Sequence, residues 1–307
     1  MDEPSTYDVV VVGGGPAGLN GALVLARSRR SVVVIDSGEP RNAPADGIHG
    51  LLGHDGTPPP RLLERGRAEV RSYGGEVVHG LVVGAKRRGG GFAVELDDGR
   101  SLRARRLLVT TGVVDELPDI PGLRERWGHD VLHCPYCHGW EVRDRRIGIL
   151  AGGPNSAHQA LLFRQLSDDV VYFTHRTPPE EQQARQLAAR SIRVVEGEVS
   201  SVEVDAGRLA GIRLSDGTLV ARDVLVISPR LTARAAFLSA LGLTPTEHPS
   251  GLGEHIEVDS SGRTEVPGVW AAGNLTDPAA QVGGSAAAGA LAAIRINADL
   301  VAEDASG

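Results

Sequence analysis

The sequence predicts an α/β protein with two Rossmann-like dinucleotide-binding domains. The stretch YDVVVVGGGPAGLNGALVLARSRRSVVVIDSGEP and the later stretch RRIGILAGGPNSAHQALLFRQLSDDVVYFTHR share one order of elements. Each runs apolar strand, glycine turn, Ala/Leu-rich helix, apolar strand, which is the pattern of a parallel sheet covered on both faces. A length of 307 residues is enough for two domains, or one large α/β domain, with an ample core.

Composition narrows the class. A hydrophobic fraction of 41% and a mean hydropathy of −0.10 describe a globular chain rather than a disordered one. The net charge of −7 argues against nucleic acid or an anionic membrane as the main partner. No apolar run is expected to approach the ~20 residues that span a bilayer. The first strand begins after a few polar residues, so no signal peptide is expected and the cytoplasm is the default. Lys86 is the only lysine, which we read as codon usage. The two cysteines stand in a single CxxC, so a framework of stapling disulfides is excluded and redox or metal chemistry remains.

The first strand, Asp8–Val12, leads into Gly13-x-Gly15-x-x-Gly18 and a helix, and Asp36 ends the next strand. Those glycines permit a tight turn and let a diphosphate reach the helix N-terminus, where unpaired N–H groups favour negative charge. Asp36 stands where an acid accepts from a ribose hydroxyl. The fingerprint does not separate FAD from NAD. Next comes GGEVVHGLVVGAKRRGGGFAVELDDGRSLRARRLLVTTG, whose Gly-Gly-Gly and Asp-Asp-Gly turns predict an antiparallel meander. LPDIPG, Leu117–Gly122, is expected to be a linker at a domain crossover.

HCPYCHGWE follows, with Cys134 and Cys137 flanked by His133 and His138. CxxCH matches a haem tether literally, but haem attachment needs export, and the only methionine is Met1. Zinc needs about four converging ligands and there is no second CxxC. A lone CxxC beside a βαβ unit reads better as a dithiol–disulfide couple, with no metal. After the second βαβ stretch, VSSVEVDAGRLAGIRLSDGTLVARDVLVIS repeats the meander-then-strand order. GVWAAGNLTDP and the small-residue helix QVGGSAAAGALAAIRINADLVAED close the chain.

GVWAAGNLTDP resembles the second FAD motif of disulfide-reductase flavoproteins, and VTTG, Val109–Gly112, resembles their strand end near the flavin. The expected acid after Gly273 is Asn274 here. The whole order resembles the low-molecular-weight thioredoxin reductases. The resemblance implies an FAD domain formed by 1–115 and 232–307, split by an inserted NADPH-like domain, 116–231, that carries the CxxC. It implies that Cys137 lies next to the flavin and Cys134 exchanges with substrate. It also implies a homodimer, and FAD held by Gly13, Gly15, Pro16, Ala17, Gly18, Asp36, Arg41, Thr111, Gly112, Gly273, Asn274, Gln281 and Val282.

The second glycine turn departs from that family. Its GxGxxA motif reads Gly152-Gly153-Pro154-Asn155-Ser156-Ala157, and proline offers a phosphate no N–H. The His-Arg-Arg clamp for a 2′-phosphate is reduced to His175 and Arg176, followed by Thr177, Pro178, Pro179, Glu180 and Glu181. Two carboxylates near a phosphate are repulsive by roughly 1 kcal/mol each. A degraded NADPH site and a histidine after the second cysteine resemble the thioredoxin reductase-like dithiol oxidases, which close disulfides in natural products such as gliotoxin and holomycin. The expected function is FAD-dependent oxidation of a small-molecule dithiol by O2, giving H2O2. His138 is the first candidate base and His133 the second. Tyr136 and Trp140 stack on flavin or substrate, or fill the core. The alternatives are an NADPH- or ferredoxin-dependent thioredoxin reductase and a flavin-bearing redox sensor.

Overall fold

The computed structural model describes residues 5–153 and 155–306. Its chain forms two compact units, one from 1–43, 57–114 and 231–307, the other from 44–56 and 115–230. Residues 44–56, expected in the first domain, cluster with the second. There Pro44 packs so closely on Gly128 that a β-carbon on the glycine would lie 2.5 Å from Pro44 Cβ.

In the first unit, β1 (Thr6–Val12), α1 (Pro16–Arg27), β2 (Val32–Asp36), α2 (Pro59–Ser72), β3 (Glu76–His79), β4 (Val82–Arg88), β5 (Gly91–Leu96) and β6 (Ser101–Val109) follow one another. The sheet order is β3-β2-β1-β6-β5-β4, and the strand Val269–Ala271 adds to the second half of β6. β1 pairs in parallel with β2 and with β6. The expected meander is confined to β4–β6, because α2 carries the chain over the sheet and sets β3 parallel to β2. A crossover helix between neighbouring strands enforces that direction.

Alternation along β1 and β2 assigns the faces. Val10, Val12, Val33 and Ile35 join Phe92, Val94 and Leu238 on one side. Val9, Val11, Val32 and Val34 join α1, α2 and the last helix, Val282–Asp304, on the other. Each such fully buried valine contributes about 1.5–3 kcal/mol. The last helix lies against α1 through small residues: a β-carbon on Gly289 would sit 1.9 Å from the Ala17 carbonyl oxygen. This 23-residue helix contains an 18-residue window of mean hydropathy 1.2, long and apolar enough to cross a membrane by length and composition only. That corrects the expectation of no such run. Part of its apolar face, Ala292, Ala293, Ile296 and Leu300, is buried in the first unit's core. Its acidic C-terminal end, unfavourable to the helix dipole, is held by Arg105 and Arg106, which draw the Glu303 carboxyl below its ordinary range.

The second unit holds a five-stranded parallel sheet in the order Arg193–Val195, Val170–Phe173, Ile147–Leu150, Val224–Val226, Val131–Leu132. The helices Ser156–Phe163 and Glu181–Ala189 complete it. A three-stranded antiparallel sheet, Val199–Asp205, Arg208–Leu214 and Leu219–Ala221, packs beside it. LPDIPG is not a free linker. Ile120 and Leu123 are buried in this unit's core, and Pro121 O accepts from Val202 N–H at 2.9 Å.

Candidate active site

The dinucleotide site of the first unit follows from sterics. Gly13 has φ +110°, and a β-carbon there would meet Thr110 O at 2.5 Å; on Gly18 it would meet Gly13 O at 1.9 Å. Only glycine fits at either position. Thr110 Oγ1, in the VTTG strand end, donates toward Val12 O and Gly13 O at 3.0 and 2.9 Å and fixes the turn. Gly14 was missed by sequence analysis: a β-carbon on it would lie 2.4 Å from Asp36 Cγ, so its bareness lets the acid lean over the turn. Asp36 accepts from Gly38 N–H at 3.1 Å and from Arg67 at 3.4 Å.

These residues fit FAD. Gly15 is the N-cap of α1 and no side chain caps it; Pro16 and Ala17 begin the helix. A β-carbon on Gly15 would meet nothing within 4 Å, so the helix start faces open space of the kind a diphosphate fills. Gly273, with φ +76°, brings the end of strand Val269–Ala271 against Ala17, where a β-carbon would be 2.9 Å from Ala17 Cβ. Gln281 is the N-cap of the last helix, Val282 its first residue, and this end too has no side-chain cap. Gly112, at φ +68°, accepts on its carbonyl from Arg234 N–H at 3.1 Å. Thr111 Oγ1 donates to Arg234 O at 2.7 Å, so its hydroxyl proton is held within the protein. Arg41 reaches Pro278 O at 3.4 Å. Asn274 Nδ2 is directed at three carbonyls, of Asp277, Pro278 and Ala280.

In the second unit Cys134 and Cys137 form a disulfide with Cα atoms 5.3 Å apart. Cys134 is the N-cap of the one-turn helix Pro135–His138, and Cys137 N–H points at Cys134 Sγ at 3.1 Å. Gly139 has no room for a side chain between Pro135 O and Leu166, which seats the turn on the core. Both ring nitrogens of His138 are buried without a hydrogen-bond partner among the described residues. Burial holds its pKa below the ordinary value, assisted by His49 and opposed by Glu141 and Asp46. His49 is a group sequence analysis did not find. Its ring nitrogens face Asp55 at 3.3 Å and Glu141 at 3.5 Å. The His133 ring stacks on Trp127, centroids 5.4 Å apart, and its carbonyl accepts from Gln159. Tyr136 and Trp140 are each 66% exposed, so the core-filling reading fails for both. Arg143 lies over the Trp140 ring at 4.2 Å. Among the described residues no cluster of three or more His, Cys, Asp or Glu can hold a metal ion.

Of the second glycine turn, Pro154 lies outside the described residues. Ser156, fully buried, accepts on its hydroxyl from Gly152 and Gly153 N–H at 3.0 and 3.2 Å. Burial keeps His175 below its ordinary pKa, and its Nδ1 accepts from Val199 N–H at 3.0 Å. Arg176 pairs with Glu198, Nε–Oε1 2.8 Å. The acids expected to repel a phosphate have local roles: Glu180 caps the following helix in a capping box with Gln183, and Glu181 pairs with Arg185.

A family model described as pyridine nucleotide-disulphide oxidoreductase matches residues 7–293. The chain is 32% identical to thioredoxin reductase tcpT of Claviceps purpurea, over 89% of this chain and 88% of that one. It is 28% identical to thioredoxin reductase sirT of Leptosphaeria maculans, over 98% and 96%. Among solved structures it is similar to HlmI, with a TM-score of 0.93 and 47% identity, over 100% of this chain and 96% of the other. The glycine turn, the acid at Asp36, the CxxC disulfide and these similarities have one meaning: the chain belongs to the pyridine nucleotide-disulphide oxidoreductase family, as a thioredoxin reductase-like FAD flavoprotein.

Proposed function

We propose that the protein is an FAD-dependent dithiol oxidase that closes an intramolecular disulfide in a small natural product and passes the electrons to O2. The observation that carries this reading is the state of the second nucleotide site. The cation that would clamp a 2′-phosphate, Arg176, is engaged by Glu198. His175 uses its Nδ1 lone pair as an acceptor and is held toward neutrality by burial. With Arg176 shared with Glu198 and His175 neutral, NADPH meets less positive charge here than a free clamp would offer.

In this reading a substrate thiolate attacks Cys134 Sγ, and the Cys134–Cys137 bond breaks with Cys137 leaving as thiolate. The substrate's second thiolate attacks its own sulfur in the mixed disulfide, releasing cyclic disulfide and the Cys134 thiolate. His138, half-buried with its ring nitrogens shielded and held toward neutrality, takes the thiol proton, since only the thiolate is nucleophilic. The Cys137 N–H, 3.1 Å from Cys134 Sγ, stabilises charge on Cys134 when the second exchange releases it as thiolate. FAD supplies the two-electron path from the Cys134/Cys137 dithiol to O2, so one dithiol and one O2 give one disulfide and one H2O2. A small-molecule dithiol as substrate, a homodimer and a cytoplasmic location belong to the same proposal.

Relatives named thioredoxin reductase favour a second reading, a thioredoxin reductase driven by NADPH or ferredoxin. Oxygen uptake separates the two. A small dithiol should drive uptake with equal H2O2, Cys134→Ser and Cys137→Ser should each abolish it, and NADPH should drive none. NADPH-driven reduction of thioredoxin would establish the reductase instead.

A further inference from the structure

We propose that Asn274 is a positioning residue for the flavin: its amide braces the loop 277–281 that sets the start of the last helix, and a carboxylate cannot replace it. Asn274 Nδ2 donates to Asp277 O at 3.1 Å, to Pro278 O at 3.3 Å and to Ala280 O at 2.8 Å. An amide nitrogen carries two protons and no lone pair available to accept, so three converging carbonyls fix which way the side chain faces. A carboxylate in the same place would set its oxygen against three carbonyl oxygens. The exchange of the family's acid for Asn at this position thus has a partner set that only a donor satisfies.

The braced loop leads without a break into the site. Ala280 N–H donates to Asp277 O at 3.0 Å, and Ser285 N–H to Gln281 O at 2.8 Å. Gln281 is the N-cap of the helix Val282–Asp304 and receives no side-chain cap. At its other end the loop follows Gly273, which rests on Ala17 at the start of α1. Moving the loop therefore moves one helix start relative to the other within the first unit. Among the described residues, the charged groups bonded to this loop include Arg41, which reaches Pro278 O, and Asp277, whose carboxylate accepts from Ala279 N–H at 3.0 Å.

The test compares wild type, Asn274→Asp and Asn274→Ala as holoenzymes. FAD release is followed by flavin fluorescence at about pH 8 and about pH 5, either side of the range in which a strained carboxyl titrates. Hydrogen exchange is read at the amides of Ala280 and Ser285. Asn274→Asp should release FAD roughly tenfold faster or more at the higher pH, the cost of charge facing unpaired acceptors. It should recover in part at the lower pH, where a protonated carboxyl donates one bond. Asn274→Ala should lose less and show the wild-type pH profile, since Arg41 and Asp277 are common to both. Exchange should quicken in both variants. Asn274→Asp holding FAD as tightly as wild type at the higher pH would overturn the proposal and restore an acceptor role at this position. If Asn274→Asp does not fold, Asn274→Ala decides alone: wild-type exchange at Ala280 and Ser285 overturns it, and faster exchange with quicker FAD release supports it.

Discussion

His138 ends the disulfide turn with two buried ring nitrogens that no group among the described residues satisfies, so His138→Phe removes polarity that folding gains nothing from. A neutral imidazole has one donor and one acceptor; since the residue is only half-buried, the unpaired ring as a whole costs about 1–3 kcal/mol. Phe is somewhat larger, and fitting it costs about 1 kcal/mol in a packed surrounding. The balance runs from zero to about 2 kcal/mol of added stability, an increase in Tm of up to about 4 °C at this chain length. Turnover with a small dithiol should fall about 100-fold or more, the scale of a lost general base. The pH profile provides a second readout. Burial holds the folded His138 pKa below its ordinary value of 6.5, so the unfolded chain binds more protons between the two values. Wild-type stability should therefore rise as pH climbs through that window to 6.5. His138→Phe should lose part of the rise, and His175, which burial shifts the same way, contributes to what remains. Thermal unfolding across pH, paired with steady-state oxygen uptake, reads both. A variant that is several degrees less stable yet turns over at the wild-type rate would refute the assignment and make His138 a structural residue.

Gly18→Ala should yield protein without bound flavin, since its β-carbon would come 1.9 Å from Gly13 O; the ratio of flavin to protein absorbance checks this. Gly289→Ala should cost about 1–3 kcal/mol in unfolding experiments because its methyl meets the Ala17 backbone. Gly284→Ala, whose nearest neighbour is 4.0 Å away, should be neutral or stabilising by about 0.5–1 kcal/mol in the same experiment. Glu198→Gln frees Arg176 from its ion pair, and calorimetry should then detect NADPH binding at least several-fold tighter than in wild type.

The parts of the fold carried by local pattern were legible. Both strand–turn–helix units, the Gly13–Gly18 fingerprint and the disulfide turn depend on residues close in sequence, where period and spacing report structure directly. What escaped depends on partners far along the chain. His49 comes to Glu141 only because 44–56 clusters with the second unit, and no local period encodes that. Thr110 and Thr111 are adjacent, but Thr110 fixes the glycine turn while Thr111 bonds to Arg234. Asn274 could be recognised as a departure from the expected acid, whereas its partners are carbonyls, which leave no mark on the sequence. Glu180 and Glu181 read from the sequence as charge near a phosphate site, while the helix start they form is set by tertiary context. A capping carboxylate and an i,i+4 pair account for both. LPDIPG looked like a linker by composition, yet Ile120 is a core residue.

The central claim is that electrons enter this protein as thiols and not as hydride from NADPH. Mixing the oxidised holoenzyme anaerobically with NADPH in one syringe and with dithiothreitol in another, and following the visible flavin absorbance, tests it most directly. The account predicts bleaching by dithiothreitol, dependent on Cys134 and Cys137, and no bleaching by NADPH on the same timescale. Bleaching by NADPH within seconds would contradict it.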